Sequence, residues 1–436
     1  MLVDSFGSWP TSTGPHSIDT QAVIASCAQS DKRTKTLRKS IQEVAADGSV
    51  QQLRPQEEYT LFDESVYVCS HTHIPEGGSK ATHVIVWAGG SSTSVGVEAA
   101  NNVAKAEARR EGSSAQIRLN MQGHEQAELF EALGGILITR RGARETASKQ
   151  YMLCGRKHLG HIAFDEVDFA PSSLSAGFAY LISFPVTLQE TRLYLWKGSA
   201  CSNEEIGAAK LAAMDLSETG EIIEVDQGAE FTSFLKIFGA GATKASIPRS
   251  LSSWQHKASA PDKFTARLFS VQQSDARTGI FSSMFRRPSW GMRAPAPDPG
   301  VKAEVKEIAP FTQSDLDAEG LYLLDAYGEL YVLLGPLFFS LQPENVRNAL
   351  LAQSLLFASD YAILSASLED RPAIPKASVV FGGCPEGVQC LFRGWDDEHG
   401  LWGLGGLMAG SSMSKGKVGE EVKKAGVVEL VRVVCR

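Results

Sequence analysis

The stretch VIVWAGG at Val84–Gly90 returns as LYLWKGS at Leu193–Ser199 and, more weakly, as LYVLLGP at Leu330–Pro336. Each copy is a short apolar run of β-branched, aromatic or leucine side chains that ends at or beside a glycine. Such a run predicts a strand that is buried on both faces and leaves its sheet at a turn. Because the pattern recurs, we expect one kind of domain to be built three times along the chain.

A helix-forming segment follows each copy. SSTSVGVEAANNVAKAEARREG comes after Gly90, and SACSNEEIGAAKLAAMDLSE comes after Gly198. Both open with Ser or Thr residues that suit a helix N-cap, and both are rich in alanine without an internal proline. The third copy continues as QPENVRNALLAQSLLFASDY, in which Pro343 suits a first helical turn. Each copy is therefore predicted to pass from its buried strand into a long helix.

A second motif, Q-G-x-E, follows the long helix at 122–125 and at 227–230, each time between a short strand and a short helix. The third copy keeps part of this pattern with shifted spacing. These recurrences predict a chain divided as follows: a disordered tail 1–32, repeat one 33–145, repeat two 149–240, a linker 241–261, repeat three 262–397 with an inserted loop 274–300, and a tail 398–436.

The order strand, W-x-G, Ala-rich helix, Q-G-x-E and short helix resembles the repeat of the gelsolin/villin family. FTQSDLDAEGLYLLDAYGELYVLLG at Phe311–Gly335 and FRGWDD at Phe392–Asp397 resemble the entry and exit of that family's last repeat. The chain is most similar to the C-terminal three repeats of six-repeat members, in their fungal form. The resemblance implies an α+β fold of three tandem gelsolin-like domains. Each would be a central mixed sheet of about five strands between a long and a short helix.

The resemblance also implies a partner, because in this family the long helix of certain repeats docks into a cleft of actin. It nominates the first long helix, about Ser92–Arg110, whose residues Ala99, Val103 and Ala106 we expect to pack on the sheet. The second helix, with Met214, is an equal candidate. The actin-binding candidates on the two helices are Val97, Asn101, Ala104, Lys105, Ile206 and Lys210. A solvated helix face that binds nothing is the alternative interpretation.

The calcium ligands implied by the family are mostly missing. Hard Ca²⁺ needs several oxygen ligands with carboxylate charge. The corresponding positions hold Ser65 and Gly96, then Phe178 and Glu205, then Gly320 and Gln342. Only Glu205 is a carboxylate, and next to Glu204 it also suits the positive end of a helix dipole. We therefore predict no cofactor and no calcium switch of the gelsolin type, with Glu205 as the one weak metal-ligand candidate.

Basic residues form one further candidate site. Arg140, Arg141 and Arg144 follow the first repeat, and basic stretches near the repeats of this family can bind phosphoinositide headgroups. The alternative is an ordinary solvated charged surface. The formal net charge of −8 opposes binding to anionic lipid, so any such binding would be weak and salt-sensitive. It also gives no basis for nucleic-acid binding.

Cysteines and apolar runs indicate the compartment. The seven cysteines are scattered without a C-x-x-C pair, as is typical of a reducing compartment. The first residues have no secretory signal, and no uninterrupted apolar run is long enough to cross a bilayer. These features predict a soluble, cytoplasmic protein, and the resemblance to the gelsolin/villin family implies the cytoskeleton.

Enzyme motifs give no positive signal. Two groups of side chains could gather at one site, but neither has a fourth ligand at zinc-site spacing; they are Cys69, His71 and His73, and Cys154, His158 and His161. The leading hypothesis, which the resemblance implies, is an actin-binding protein that caps or binds the side of filaments without calcium control. The alternative is a protein-interaction scaffold whose repeats no longer bind actin.

Overall fold

The computed structural model describes residues 18–27, 34–75, 78–112, 115–187, 190–217, 220–247, 266–273, 302–340, 344–371, 373–381, 383–389, 391–393, 395, 402 and 423–427. Within these ranges the strands form three mixed sheets with helices on their faces. The inserted loop predicted at 274–300 lies outside the described residues.

The first sheet has the strand order β2-β1-β4-β5-β6. Strands β5 and β6 are parallel, and the other pairs are antiparallel. Its strands are β1 (Thr34–Val44), β2 (Val50–Gln52), β4 (Val66–Pro75), β5 (Ala81–Ala88) and β6 (Gln116–Met121). The long helix α2 (Ser94–Glu111) and the short helix α3 (Ala127–Leu133) belong to the same repeat.

The second sheet has seven strands in the order β12-β11-β10-β8-β9-β7-β3. They are β3 (Thr60–Phe62), β7 (Ile136–Arg140), β8 (Tyr151–His158), β9 (His161–Val167), β10 (Ala179–Pro185), β11 (Thr191–Lys197) and β12 (Ile222–Asp226). Helices α4 (Asn203–Leu216) and α5 (Thr232–Leu235) follow the pattern of the first repeat. Five of these strands belong to the second repeat, as expected, and β7 and β3 of the first repeat add two more in parallel at the edge of β9.

The third sheet has the order β14-β13-β15-β16-β17-β18. Its strands are β13 (Arg267–Gln273), β14 (Ala303–Ile308), β15 (Leu321–Asp325), β16 (Glu329–Leu334), β17 (Lys376–Phe381) and β18 (Lys423–Gly426). Its helices are α6 (Glu344–Leu368) and α7 (Glu386–Gln389). Strand β18 lies in the predicted tail 398–436, so that prediction is wrong for residues 423–427. Backbone pairing with β17 orders them there.

The repeated apolar strands are buried between two helical layers, as their composition predicts. On β5, Val84 and Val86 pack in one cluster with Ala100 and Ala104 of α2, and Trp87 faces the cluster of α3. On β11, the leucines share a cluster with the alanines of α4, and Trp196 faces α5. Successive side chains of each strand point to opposite faces of the sheet, so one strand contributes to the cores on both sides.

The Q-G-x-E motif has a structural explanation. In the first repeat the Trp87 indole N–H donates to Glu125 Oε1 at 2.9 Å, and the Gly123 N–H donates to the same oxygen at 3.0 Å. In the second repeat Trp196 and Gly228 bond Glu230 in the same way, at 3.1 and 2.9 Å. The buried tryptophan and the turn glutamate thus satisfy each other, which links the two recurring motifs.

An additional helix, α1 (Thr20–Ser26), lies in the predicted tail 1–32. Asp19 caps it by accepting from the Ala22 N–H at 3.0 Å. Ile24 and Cys27 are buried in the core of the third repeat, in one cluster with Leu350 of α6. The prediction of a disordered tail is therefore wrong for residues 18–27, because α1 contributes apolar side chains to a core far along the chain.

Two further segments complete the layers. Helix α6 is long and apolar enough to cross a membrane by length and composition, but more than half of its apolar window is buried inside the third repeat. In the predicted linker 241–261, Lys244–Ser246 form one 3₁₀ turn. Ile247 then packs in the core of the second repeat. Residues 248–261 of that linker lie outside the described residues.

A buried charge cluster joins all three repeats. Arg393 of the third repeat donates to Glu125 of the first at 2.6 Å and to both oxygens of Asp165 of the second at 2.9 Å. All three side chains are buried. Arg156 lies beside them and donates to the Phe392 carbonyl at 3.0 Å. The repeats therefore meet at one polar point inside the molecule.

Candidate partner-binding face

The first long helix packs through its smallest side chains. Thr93 caps it by accepting from the Gly96 N–H at 3.1 Å. Gly96, Ala100 and Ala104 are its buried residues, each one turn apart, so the helix lies close to the sheet. We expected Ala106 among the packing residues, and it is exposed. The inward face is therefore rotated by about one residue, or 100°, from the predicted one.

This rotation corrects the first set of actin-binding candidates. Ala104 is fully buried and cannot contact a partner. Val97 packs partly against the core, Asn101 is half-buried, and Lys105 is exposed. The outermost residues of α2 are mostly polar; they are Glu98, Asn102, Lys105 and Arg109, after an exposed Val95. The helix therefore offers few apolar groups to a partner.

The second long helix has a different outward face. Ala208, Ala209, Ala212 and Ala213 are buried against the sheet. Leu211 and Met214, one turn apart, expose 61% and 68% of their surface. Gly207 lies one turn before Leu211 and is also exposed, and a Cβ added to it would meet no atom within 4 Å. These side chains form an apolar surface at i, i+4 and i+7, which we call the α4 face (Gly207, Leu211 and Met214).

The other candidates on α4 lie beside this face. Ile206 is half-buried, and the Lys210 ammonium pairs with Glu224 Oε1 at 2.6 Å. The Asp215 carboxylate accepts from the Tyr59 hydroxyl of the first repeat at 2.6 Å, which fixes the end of the helix. Met214 was among the residues expected on this helix, and Leu211 was not. The positions of Gly207, Leu211 and Met214 at i, i+4 and i+7 could have identified Leu211 from the sequence.

Equivalent positions on the two helices differ in chemistry. When Trp87 and Trp196 are matched, Leu211 corresponds to Asn102 and Met214 corresponds to Lys105. Both pairs are exposed. Among the described parts of the long helices, α6 exposes Ile363 and Leu368, but five positions separate them and they do not share a face. The α4 face is therefore the best helical surface for an apolar partner.

The three basic candidates are held in ion pairs, of which those of Arg140 and Arg141 join the first two repeats and that of Arg144 lies within the first. Arg140 is buried, donates to Glu166 at 2.7 Å and lies over the Tyr151 ring at 3.6 Å. The prediction that Arg140 is free for a lipid headgroup is therefore wrong, because Arg140 is buried and the half-buried Glu166 carboxylate already pairs with it. Arg141 donates to Asp168 at 2.7 Å, and Arg144 donates to Glu43 at 3.4 Å.

The residues at the family's ion positions do not fit calcium. Gly96 has no side chain, and Phe178 lies in the apolar core. The Glu205 carboxylate is buried in a capping box, where it accepts from the Ser202 N–H at 2.8 Å while Ser202 Oγ accepts from the Glu205 N–H at 3.2 Å. The Glu205 carboxylate is therefore used to cap the N-terminus of α4. Gln342 lies outside the described residues.

The histidine group of the first repeat is a packed cluster. The rings of His71 and His73 stack with centroids 4.7 Å apart, and His83 meets His73 at 4.8 Å. Burial, with the charges of those two neighbours, lowers the pKa of His71 to about 4. In the second group, burial lowers the pKa of His158 to about 3, and Arg393 adds to the effect. No three His, Cys, Asp or Glu side chains of the described ranges are arranged to hold a metal ion.

Comparison with family models divides the chain as the structure does. The gelsolin repeat model matches residues 160–235 and 302–388, within the second and third repeats. Residues 40–141, within the first repeat, match a model described as a domain of unknown function (DUF7904). The first sheet nevertheless has the same arrangement as the others: β2-β1-β4-β5-β6 corresponds to β9-β8-β10-β11-β12 and to β14-β13-β15-β16-β17.

Comparison with individual proteins gives distant similarity. The Gelsolin of Drosophila melanogaster is 22% identical over 349 residues, which make up 79% of this chain. The chain spans 37% of the length of that relative. The crystal structure of the Thorarchaeota 2DGel3/rabbit actin complex aligns with 46% of this chain and 100% of that chain, at 16% identity and a TM-score of 0.19.

Proposed function

Because the chain is a member of the gelsolin family, we propose that it binds actin and that the α4 face makes the contact. One observation decides the choice of surface. Among the described residues of the three long helices, Leu211 and Met214 form the pair of large, exposed apolar side chains that lies on one helix face. Helix-in-groove recognition depends on apolar anchors at this spacing.

The α4 face suits an apolar cleft for physical reasons. Exposed Leu and Met side chains gain free energy when a partner removes them from water, at about 25 cal/mol per Å² of apolar surface. Gly207 lets a partner backbone approach at the start of the face. Lys210 and Glu224 lie at its rim, where ion pairs guide orientation more than they add affinity. The surface therefore has an apolar centre and a charged edge.

The proposed activity is capping or side binding of filaments, without calcium control and without catalysis. The capping-box role of Glu205 and the apolar position of Phe178 favour calcium independence. Severing is less favoured, because it generally needs two actin-binding repeats, and α2 is polar at the positions of Leu211 and Met214. This activity would place the protein in the cytoplasm, at the cytoskeleton.

Co-sedimentation with filamentous actin tests the proposal. We expect the double variant Leu211→Ala and Met214→Ala to bind at least about tenfold more weakly than the wild type, since apolar anchors dominate such interfaces. The matched control is Asn102→Ala with Lys105→Ala, at the equivalent positions of α2, and it should bind like the wild type. Measurements with Ca²⁺ and with a chelator should agree.

The outcomes separate two functions. If the wild type does not pellet with actin, the protein-interaction scaffold becomes the better account, and the polar outward face of α2 already favours it for the first repeat. If the control variant loses binding while the α4 variant keeps it, actin binding stands and the α4 face is wrong. Binding that requires Ca²⁺ would contradict calcium independence.

A further inference from the structure

The edge strand β6 of the first sheet carries an exposed apolar row. It is the last strand of its sheet, and no other strand of the described residues pairs with its outer side. Ile117, Leu119 and Met121 alternate along it and expose 42%, 54% and 43% of their surface. An open apolar edge is a template for pairing with another chain, and proteins usually protect such edges. Within the described part of the chain, no strand covers this edge.

The same edge in the second repeat is covered with charge. Trp87 pairs with Asn120, and Trp196 pairs with Val225, so Leu119 and Met121 correspond to Glu224 and Asp226. There Lys197 contacts Glu224 at 2.8 Å and Asp226 at 3.0 Å.

A second ion pair, between Lys210 and Glu224, ties that edge to its helix at 2.6 Å. The first repeat replaces this whole network by apolar or neutral side chains. Ala88 stands in place of Lys197, Asn101 in place of Lys210, and Leu119 and Met121 in place of the two acids. The difference between the two edges is thus coordinated over four positions.

The same edge in the third repeat is covered by backbone. Strand β18 pairs antiparallel with β17, with Ala425 opposite Val379 and Lys423 opposite Phe381. Val379 and Phe381 correspond to Leu119 and Met121, because Leu333 takes the place of the tryptophan. The fold therefore accepts an antiparallel strand at this edge, and Val379 is fully buried there.

We propose that β6 pairs antiparallel with β6 of a second copy of this chain, so that the first sheets of two copies join across a twofold axis. The strand is self-complementary in one register. With Leu119 opposite its own copy, Ile117 lies opposite Met121 and Arg118 lies opposite Asn120. Of the two neighbouring twofold registers, one would set Arg118 against itself, which like charges oppose. The other would set Asn120 against itself and place Ile117 opposite Gly123, in the turn beyond the end of β6. A twofold contact of this kind is the commonest interface of homo-oligomers.

The long helices leave room for this pairing. Helix α2 lies over β4 and β5 and contacts β6 less. Across the joined sheet, β5 and its copy would be three strand spacings apart, about 14 Å. Helices pack at about 8–10 Å, so the two α2 helices would not collide. The gap between them is where the apolar rows of both β6 strands would lie side by side and bury part of each other's surface.

Sedimentation velocity across a concentration series tests the proposal with the full chain. The wild type should move from the mass of one chain toward that of two. The double variant Leu119→Glu and Met121→Asp, which carries the residues of the second repeat, should stay at one chain. The matched control, Leu211→Glu with Met214→Asp, changes a more exposed apolar pair elsewhere and should associate like the wild type. Thermal unfolding of each variant verifies that it is folded.

A cysteine experiment tests the register. Under mild oxidation Leu119→Cys should cross-link two copies, since opposed residues of paired strands have the Cα separation that a disulfide needs. Arg118→Cys should cross-link at least several-fold more slowly, because it is two positions from its own copy.

A wild type that stays at one chain at every concentration would overturn the proposal and leave the edge to a strand of another protein. Equal association of the two double variants, or equal cross-linking of the two cysteine variants, would also overturn it. None of these results depends on actin.

Discussion

Arg393 is a charged side chain held inside the protein by carboxylates of two other repeats. Burial alone would raise the pKa of Asp165, but the charge and hydrogen bonds of Arg393, with the charge of Arg156, outweigh it and lower that pKa to about 2. The carboxylate is therefore ionised at neutral pH and depends on its partner. A buried ion pair of this kind adds little net stability, yet removing one member leaves an uncompensated charge.

We predict that Arg393→Met lowers the free energy of unfolding by about 3–5 kcal/mol, because Glu125 and Asp165 lose the guanidinium that they share. Urea unfolding measures the change. Arg141→Ala is the control, since its pair with Asp168 is partly exposed and should contribute at most about 1 kcal/mol. A loss for Arg393→Met no larger than that of the control would contradict the prediction.

The buried histidines predict a dependence of stability on pH. The pKa of His71 is about 4 in the fold, below its ordinary value, so the unfolded chain binds more protons between the two values. Its contribution is therefore present at pH 7 and is lost as the pH falls. We expect it to remove about 2 kcal/mol between pH 7 and pH 5.

The measurement is the urea midpoint at each pH, in the wild type and in His71→Phe. The variant should lose less stability over this range than the wild type does. His124→Gln, at a more exposed histidine, serves as the control and should follow the wild type. Parallel curves for His71→Phe and the wild type would show that His71 does not titrate with folding.

At the scale of elements, the strands were more predictable than the faces of the helices. VIVW and LYLW are apolar throughout, and both are buried as expected. The helix α2 is built from Ala, Asn and small residues, so its sequence has little contrast between an inward and an outward face. The structure buries Gly96, Ala100 and Ala104, and the prediction was displaced by one residue. Close contact with the sheet, which favours the smallest side chains, decided the rotation.

The first turn of α4 gives a prediction at this scale. Glu205→Gln keeps an oxygen that can accept from the Ser202 N–H, so it should lower stability by less than about 1 kcal/mol. Ser202→Ala removes the hydroxyl that accepts from the Glu205 N–H and should cost about 1 kcal/mol. Added Ca²⁺ should not shift the thermal midpoint of the wild type or of Glu205→Gln. A calcium-dependent rise that only the wild type shows would make Glu205 a ligand.

At the scale of the molecule, sequence reasoning could not find the contacts between repeats. Glu125, Asp165 and Arg393 are far apart in the chain. The sequence around each of them predicts its local structure without indicating that the three side chains meet. Nor do the sequences of β3 and β7 indicate that these strands join the sheet of the second repeat. Helix α1 was missed because a seven-residue segment has no periodicity of its own. Long-range packing decides all three.

Two turn glycines predict how tightly the repeats fit. Gly123 and Gly228 occupy equivalent turns with φ of +84° and +90°. A Cβ on Gly123 would lie 2.1 Å from Thr312 Cγ2 of the third repeat, whereas one on Gly228 would meet nothing within 4 Å. Gly228→Ala should cost about 1–2 kcal/mol from backbone strain alone. Gly123→Ala should cost more, because the third repeat must shift as well.

Urea unfolding of both glycine variants gives the two costs, and small-angle scattering should show a larger radius of gyration only for Gly123→Ala. Equal costs with unchanged scattering would mean that the contact between Gly123 and Thr312 yields easily.

Strands β3 and β7 are encoded within the first repeat but complete the sheet of the second. A gene fragment beginning near residue 149 would therefore make a domain whose β9 lacks its neighbour. Recombination that moved the second repeat alone into another protein would carry the same defect. The second repeat is therefore expected to need the first for a complete sheet, even though their sequences look like two separate copies.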